Sequence, residues 1–442
     1  MTKHNFGLVG STKDQLVKRF KARQGALGDA SIGGLRASGK QPDVPEKFCR
    51  FDKLPGYEKL VIPQVAARKL GIENPYFKSH DALAGATTGI AGRTYINFSS
   101  YNYLGLTGHP AVNQAAKDAI DRYGTSAAAS RLVAGERPVH RELEKSLADA
   151  YEVDDCAVFV SGHATNVATI STLFGPKDLV VHDSLIHNSV LEGVRLSGAT
   201  RRAFAHNDPG ALEKILEEIR GNFERVLVVI EGLYSMDGDI PDLPRFIQIK
   251  RRFKTFLMVD EAHSFGVLGA RGLGIREHCG VAGRDVDIWM GTLSKSLAGC
   301  GGYIAGEHAL IELLKYAAAG FVYSVGLSPV MAAASLAALK LIPDMQDSLQ
   351  RLRGNAVYFL EGLRKICLDS GLSQGYAVVP VITGSSLKAA KLSATLFASG
   401  INVQPIIYPA VEEKAARLRF FLSALHTQDQ LDATLSELRR LA

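Results

Sequence analysis

The sequence predicts an α/β fold with a large domain, built on a mostly parallel sheet covered by helices, and a smaller C-terminal α+β domain. Between about residues 95 and 324, short apolar runs alternate with longer amphipathic segments. The apolar runs are nearly continuous, which is typical of parallel strands that are buried on both faces. After Pro329 the pattern changes to a long helical stretch followed by a few scattered strands.

The strands and helices of the two domains can be placed by their patterns. In the large domain, strands are predicted at residues 157–160, 179–181, 226–230, 256–259, 288–290 and 303–305, and helices at 111–123, 142–151 and 209–220. In the small domain, strands are predicted at 378–382 and near 401–404, ahead of an Arg-Leu-Arg-Phe-Phe-Leu segment at 417–422. We therefore expect an N-terminal extension and arm at 1–94, the large domain at 95–328 and the small domain at 329–442.

The composition excludes several classes of protein. With 442 residues, 46% hydrophobic and 22% charged, the chain is typical of a soluble globular protein with about two or three structural units. The net charge of +6 is small and spread along the chain, which does not favour nucleic-acid binding. The five cysteines are odd in number and form no C-x-x-C pair, so reduced thiols in a cytoplasm are expected rather than disulfides or a zinc site.

Neither a secretion signal nor a membrane span is predicted. Residues 1–10 contain no apolar core of signal-peptide length. The apolar stretch at 325–342 is broken by Ser328 and Pro329, so we expect a buried helix there.

A short basic helix is predicted at residues 11–23, ahead of a Gly-, Ser- and Pro-containing loop at 25–45. Leu16, Val17 and Phe20 lie on one side of this helix, and lysines and arginines lie elsewhere. The basic face is either a solvated surface, which is the more common case, or a docking surface for an acidic partner.

Two predicted strand ends carry residues with the chemistry of a pyridoxal phosphate (PLP) site. Lys295 follows the strand at 288–290, and Asp260 follows the strand at 256–259. A lysine amine can form a Schiff base with the PLP aldehyde, and a carboxylate can hold the pyridine nitrogen protonated. A lone lysine after a strand is usually a solvated charge. The flanking Thr292 and Ser294, and the Asp-x-x-His unit that ends at His263, favour the PLP interpretation.

Further candidate groups follow other strands, at the edge where ligands of parallel sheets bind. The turn Ser161-Gly162-His163 opens a helix and offers free N–H groups to a phosphate, although such turns are common. His187 follows the next strand, where a flat imidazole could stack on a pyridine ring, but a lone histidine is more often structural. The acidic segment at 231–239 lacks the closing glutamate of a calcium loop, so no metal site is expected.

Several segments, in order along the chain, resemble the α-oxoamine synthase family of PLP enzymes, which have the aspartate-aminotransferase fold (fold type I). They are residues 97–106, 161–166, 231–239, 259–266, 291–295 and 417–419. The resemblance covers about residues 95–427 and implies PLP as the cofactor. It implies that Lys295 is the Schiff-base lysine and that Asp260 holds the pyridine nitrogen. It also places His263 and Ser235 near the ring hydroxyl and His187 on the ring face.

The same resemblance implies a phosphate site that is shared between two subunits. Gly162 and His163 would offer main-chain N–H groups to the cofactor phosphate, and Thr292 would add a hydroxyl. Ser324 matches a serine or threonine that reaches the phosphate from the neighbouring subunit. A homodimer with shared active sites is therefore expected.

For the substrates, the resemblance implies a small amino acid and an acyl thioester. Arg419 would bind the amino-acid carboxylate, and Asn102 would lie near that substrate. The implied reaction is a decarboxylative Claisen-type condensation with Lys295 as the base, giving an α-amino ketone, carbon dioxide and free thiol. Serine, alanine and glycine all remain open. Segments 125–131 and 407–409 depart from the family pattern near the acyl substrate, so coenzyme A and an acidic acyl carrier protein both remain open as the thiol.

Two other interpretations are open. An aminotransferase or a lyase of the same fold would use the same lysine and aspartate. A non-catalytic subunit of a synthase heterodimer is disfavoured, because such subunits are expected to lack the lysine that this chain has at position 295.

Overall fold

The computed structural model of the chain describes residues 44–69, 71 and 73–441. The chain divides into two compact units, Met1–Lys69 and Leu70–Ala442. The predicted basic helix at 11–23 and most of the loop predicted at 25–45 lie outside the described residues. The described part of the first unit consists of two short 3-10 turns, Glu46–Cys49 and Phe51–Lys53, and helix α1 at Pro55–Lys69.

Among the described residues, the strands all belong to the second unit. They are β1 (Thr87–Ile90), β2 (Arg93–Asn97), β3 (Asp155–Phe159), β4 (Leu179–Asp183), β5 (Thr200–Phe204), β6 (Val226–Glu231), β7 (Phe256–Asp260), β8 (Ile288–Thr292), β9 (Gly302–Gly306), β10 (Val378–Ile382), β11 (Ile401–Asn402), β12 (Pro405–Ile406) and β13 (Arg417–Phe421). All six strands predicted for the large domain are present, each one or two residues longer than predicted, and β3 begins two residues earlier and ends one residue earlier than expected. Strand β5 was not predicted.

The remaining helices also belong to the second unit. They are α2 (Pro110–Tyr123), α3 (Pro138–Tyr151), α4 (Gly162–Leu173), α5 (Asn188–Ser197), α6 (Pro209–Ile219), α7 (Leu243–Phe253), α8 (Gly274–Cys279), α9 (His308–Ala317), α10 (Ala319–Val322), α11 (Pro329–Leu341), α12 (Gln346–Lys365), α13 (Ser386–Ala398) and α14 (Gln428–Leu441). The apolar stretch near residue 330 forms α11, with most of its side chains buried. None of the described helices is long and apolar enough to cross a lipid bilayer.

Seven strands form the main sheet, in the order β3-β9-β8-β7-β6-β4-β5. Neighbouring strands from β8 to β5 pair in parallel, whereas β9 pairs antiparallel with both β8 and β3. The sheet is therefore mostly parallel, as the sequence predicts. Every residue of β4 and β6 is buried, which explains their uninterrupted apolar pattern.

Alternate residues of the central strands pack into two different apolar cores. Val181 and Val228 belong to the larger core, together with side chains of α3, α7 and α11. Val180 and Val229 belong to the smaller core, with side chains of α4, α5 and α9. Because neighbouring side chains of a strand point to opposite faces, these two cores show that helices cover both faces of the sheet.

Two three-stranded sheets lie outside the main sheet. In the first, β13 pairs antiparallel with both β10 and β12, and this sheet carries Arg419. In the second, the hairpin β1–β2 pairs with β11, with Ile96 opposite Ile401. Main-chain bonds thus join residues 87–97 to the C-terminal part of the chain.

The carboxyl ends of the parallel strands define the edge at which the candidate site lies. Asp183 ends β4, Glu231 ends β6, Asp260 ends β7 and Thr292 ends β8. The parallel order of these strands brings the four ends to one edge. In sheets of this kind, ligands bind in the crevice outside that edge.

Candidate active site

Lys295 lies in the loop that follows β8, at the carboxyl edge of the sheet. Its Nζ is 5.2 Å from the centre of the Tyr101 ring. Burial lowers the pKa of this amine to about 8, although the negative charges of Asp260 and Glu231 act in the opposite direction. A lysine with a depressed pKa is more often an uncharged amine, which is the form that attacks an aldehyde.

Asp260 is buried at the end of β7, with only 4% of its surface exposed. Its Oδ2 accepts a hydrogen bond from Nδ2 of Asn166 at 3.0 Å, and its Oδ1 accepts one from the main-chain N–H of Ala262, also at 3.0 Å. Neither partner is charged, so the carboxylate keeps the capacity to bind a cationic ring nitrogen.

His187 caps the start of α5 and is exposed. Its Nδ1 accepts a hydrogen bond from the main-chain N–H of Ser189 at 3.3 Å and lies 2.7 Å from Ser189 Oγ. Since Nδ1 acts as an acceptor, the proton of the neutral ring sits on Nε2. The imidazole is thus held in one orientation and stays exposed.

His263 is buried, with 7% of its surface exposed. Its Nδ1 lies 2.7 Å from Oη of Tyr103, and its ring stacks against Phe421 with an angle of 10° between the planes. Burial lowers the pKa of His263 well below the ordinary histidine value, and the nearby positive charges of Lys295 and Arg419 act in the same direction. A neutral imidazole can exchange a hydrogen bond with a ring hydroxyl without adding charge to the site.

The predicted phosphate turn lies between β3 and α4. Oγ of Ser161 accepts the N–H of Ala164 at 3.5 Å, which caps α4. For the N–H groups of Gly162 and His163, no acceptor is found in the described part of the chain. Two free N–H groups at the positive end of a helix form a site for an anion.

Thr292 lies against this turn, but its hydroxyl is already used. A Cβ atom at position 162 would lie 3.1 Å from Oγ1 of Thr292, a tight contact, so glycine favours the close approach of the turn to β8. Oγ1 of Thr292 donates to the Gly301 carbonyl at 3.0 Å and accepts the N–H of Ser294 at 3.2 Å. In the chain as described, Thr292 therefore orders the loop that carries Lys295.

Arg419 and Ser235 meet across the edge of the sheet. Nη1 of Arg419 donates to the Ser235 carbonyl at 2.9 Å, and its guanidinium lies 4.7 Å from the centre of the Phe421 ring. Nε of Arg419 is buried and has no partner among the described residues. The N–H of Ser235 donates to Oε2 of Glu231 at 2.9 Å. Arg419 therefore keeps donor groups free for a carboxylate.

Two ion pairs hold the loop that carries Ser235. Asp237 pairs with Arg417 at 2.6 Å, and Asp239 lies 3.2 Å from Nε2 of His206. His206 also lies 2.8 Å from Asp183. Burial lowers the pKa of His206, but the two carboxylates outweigh this effect and raise it to about 10. A protonated His206 thus ties the loops after β4, β5 and β6 together.

Two predicted residues are not joined to the group around Lys295. Asn102 closes its own turn, because its Oδ1 accepts the N–H of Thr107 at 3.0 Å and its Nδ2 donates to the same residue's carbonyl at 3.3 Å. Ser324 lies after α10 and donates to the Val325 carbonyl at 3.2 Å. Within the described chain, neither side chain hydrogen-bonds to another predicted site residue.

Sequence reasoning missed several residues that the structure places at the site. Tyr101 and Tyr103 contact Lys295 and His263, and Asn166 binds Asp260. All three lie inside the segments that carry the family resemblance. Those segments could therefore have identified these residues, but they gave no role for them. Glu231 is also buried here, and burial together with the negative charge of Asp260 raises its pKa to about 8.

The chain is similar to known proteins along most of its length. The family model described as "Aminotransferase class I and II" matches residues 93–438. An 8-amino-7-oxononanoate synthase from Fervidobacterium nodosum is 41% identical over 81% of this chain and 91% of its own length. A second enzyme of that name, from Thermoanaerobacter pseudethanolicus, is 35% identical over 90% of this chain and 96% of its own length.

A solved structure shows the same fold with a cofactor compound present. It is a serine palmitoyltransferase variant from S. paucimobilis with PLP–myriocin bound. The two structures superpose with a TM-score of 0.83 and 28% sequence identity, covering 87% of this chain and 97% of the other. This likeness shows that the two chains share one fold.

Proposed function

The chain belongs to the α-oxoamine synthase family of PLP-dependent enzymes, and from this premise we propose that it condenses serine, alanine or glycine with an acyl thioester. The reaction releases carbon dioxide and free thiol and gives an α-amino ketone. The name of its relatives describes an amino group on the carbon beside a ketone, which is this type of product. The observation that carries the proposal is that Lys295 and Asp260 share the carboxyl edge of one sheet, in a chain with these relatives.

The residues at this edge fit PLP. Lys295 supplies an amine with a pKa of about 8, and Asp260 supplies a buried carboxylate with uncharged partners. The free N–H groups of Gly162 and His163 suit a phosphate. When bound, PLP withdraws electrons from the α-carbon of the amino acid, which lets that carbon lose a proton or a carboxyl group.

Around the cofactor ring, each side chain has a distinct task. When PLP is bound, Asp260 would hold the proton on the ring nitrogen, and His187 would limit the tilt of the ring from one face. His263 and Ser235 would lie near the ring hydroxyl, with His263 neutral because burial lowers its pKa. Lys295 first holds the cofactor and then, as a free amine, takes the proton from the α-carbon and returns one after carbon dioxide leaves.

Arg419 binds and orients the amino-acid substrate. Its partner-free Nε is buried, and an unpaired buried donor favours a ligand that can accept from it. A carboxylate can accept two parallel N–H groups from a guanidinium, which fixes its plane. Asn102 closes the turn that follows Tyr101 and in this way shapes the wall of the amino-acid site.

We propose a homodimer in which Ser324 reaches the phosphate of the neighbouring subunit. The segment around Ser324 exposes Tyr323 (87%) and Val325 (51%), and Val133 (82%) is exposed on a second segment. Oγ of Ser130 donates to the Val322 carbonyl at 2.7 Å, which joins the two segments. Exposed apolar side chains on joined segments support a protein interface.

The identity of the thiol carrier belongs to the same proposal. Arg131 is the basic residue of the segment that departs from the family pattern, but it is buried and pairs with Glu144 at 2.5 Å and Glu136 at 2.6 Å. It is therefore not free to bind a phosphate of the carrier. An acidic acyl carrier protein or coenzyme A would be recognised by other groups, and both are included in the test below.

A cytoplasmic location is also proposed. All five cysteines are free in the structure, and Cys156 is buried. Burial raises the pKa of the Cys156 thiol well above its usual value, so this thiol is unreactive. Unpaired cysteines support a reducing compartment.

The proposed function is tested with a panel of amino acids and thioesters. Serine, alanine and glycine are each mixed with acyl-coenzyme A and with acyl carrier protein thioesters, and products are detected by mass spectrometry. We expect one pair to release carbon dioxide and thiol in equal amounts with an α-amino ketone. Transfer of the amino group to a keto acid without thiol release would instead identify an aminotransferase.

A further inference from the structure

One buried side chain links two groups of the site that come from different strands. Asn166 lies on α4 with 1% of its surface exposed. Its Nδ2 lies 3.0 Å from Oδ2 of Asp260 and 2.9 Å from Oγ of Ser189. A side-chain amide nitrogen carries two hydrogens, so each partner receives one. The carboxylate of Asp260 can only accept, which fixes the amide with its nitrogen toward Asp260.

The link continues from Ser189 to His187. Because the Ser189 hydroxyl accepts from Asn166, its own proton is free to be donated to Nδ1 of His187 at 2.7 Å. The main-chain N–H of Ser189 donates to the same nitrogen at 3.3 Å. The hydrogen bonds thus run in one direction, from the amide to the imidazole, and they hold the His187 ring with its proton on Nε2.

This path joins residues at the ends of β4 and β7, two strands that do not pair directly with each other. Asp260 ends β7 and His187 follows β4, and β6 lies between these two strands. The helices that carry Asn166 and Ser189 are in close contact: a Cβ atom at Gly193 of α5 would lie 3.0 Å from the Asn166 carbonyl. Close packing of α4 against α5 therefore sets the distance between Asn166 and Ser189.

We propose that Asn166 and Ser189 are positioning residues that fix Asp260 and His187 relative to one another, one at the edge of the cofactor ring and one over its face. Neither residue touches the ring in this scheme. They act by orienting the Asp260 carboxylate and by holding the His187 imidazole at one angle. This inference rests on the proposed PLP chemistry and adds two residues to it.

The test uses variants that remove different parts of this hydrogen-bonded path. Ser189→Ala deletes the hydroxyl and keeps the main-chain donor to His187, whereas Asn166→Ala deletes both amide bonds. Ser171→Ala is the matched control, because the Ser171 hydroxyl is also on α4 but donates only to carbonyls of its own helix. For each protein, apoprotein is titrated with PLP, the visible absorbance of the bound cofactor is followed against pH, and thermal unfolding is recorded.

We expect Ser189→Ala and Asn166→Ala each to weaken PLP binding by about five- to tenfold, the effect of one or two lost hydrogen bonds. The pH midpoint of the absorbance change should shift in both variants and stay unchanged in Ser171→Ala. The double variant should bind PLP about as weakly as Asn166→Ala alone, because both changes break the same path.

Three results would overturn the inference. They are an unshifted absorbance midpoint in both single variants, losses of affinity that add in the double variant, or a loss that Ser171→Ala shares. If Asn166→Ala does not fold, the midpoint measured for Ser189→Ala decides alone, since that change removes a single hydroxyl. If the unaltered chain binds no PLP, the proposed function fails and this inference fails with it, which is a different observation from a failure of the variants alone.

Discussion

Glu231 and Asp260 end neighbouring parallel strands in register, so two carboxyl groups lie side by side at the edge of the sheet. Asp260 has hydrogen-bond donors at both oxygens, whereas Oε1 of Glu231 has none in the described chain. Burial and the charge of Asp260 raise the pKa of Glu231 to about 8. At neutral pH Glu231 therefore keeps its proton.

This arrangement predicts how the stability of the apoprotein depends on pH. Between about 4.5 and about 8, folded Glu231 keeps a proton that the unfolded chain loses, so its contribution to stability falls as the pH rises. Glu231→Gln cannot lose a proton and should gain about 1–3 kcal/mol relative to the unaltered chain across this window. The free energy of unfolding, measured in denaturant at several pH values, checks this.

The control for that measurement is the exposed Glu142, changed to Gln in the same way. Its effect should be the same at every pH used. A Glu231→Gln variant whose stability difference does not grow with pH would show that Glu231 is ionised in the folded chain.

The depressed pKa of Lys295 predicts unusual reactivity in the apoprotein. Since burial lowers this pKa to about 8, the reactive amine should be half formed near that pH. Labelling with an amine-reactive reagent, read peptide by peptide in a mass spectrometer, gives the reactivity of each lysine. The exposed Lys117 in the same sample is the internal control. Reactivity of Lys295 that follows Lys117 at every pH would contradict the burial that the structure shows.

Tyr103 offers a test of how His263 is held. Tyr103→Phe removes the hydroxyl that lies 2.7 Å from Nδ1 of His263 and leaves that nitrogen buried without a partner, which should cost about 1–3 kcal/mol of stability. Tyr151→Phe removes an equally buried hydroxyl, bonded to Tyr303 at 2.9 Å, away from the site. We expect both to lower stability and only Tyr103→Phe to weaken PLP binding. Equal PLP affinities in the two variants would show that the Tyr103–His263 contact does not affect cofactor binding.

Arg419 and Arg417 lie on the same strand, and we expect their substitution to affect substrate binding and stability differently. Arg419→Lys loses the bidentate contact with the substrate carboxylate, so KM for the amino acid should rise by about 30- to 100-fold while KM for the thioester is unchanged. Arg417→Lys weakens the pair with Asp237 and should mainly lower the melting temperature. Steady-state kinetics with each substrate varied in turn distinguishes them. A rise in both KM values for Arg419→Lys would place the arginine outside the amino-acid site.

The main sheet could be predicted because its strands are buried on both faces and therefore nearly continuous in apolar residues. The positions of Lys295, Asp260 and His187 at the carboxyl edge of the sheet could be predicted for a related reason, since each lies at the end of such a strand or soon after it. The pairing of the β1–β2 hairpin with β11 could not be predicted, because the two-residue strand Ile401–Asn402 is too short to show a pattern that identifies its distant partner. Asn166 was missed for the same physical reason: its bond to Asp260 joins residues 94 positions apart, and no local spacing encodes it.

We propose above that Lys295 holds the cofactor and then acts as the base that takes the proton from the α-carbon. The direct measurement is reduction of the PLP-loaded protein with borohydride, followed by peptide mapping in a mass spectrometer, with Lys295→Ala treated in parallel. We expect the cofactor on the Lys295 peptide. In the Lys295→Ala variant, we expect neither a labelled peptide nor release of carbon dioxide and thiol. Cofactor on a different lysine, or turnover by Lys295→Ala, would contradict it.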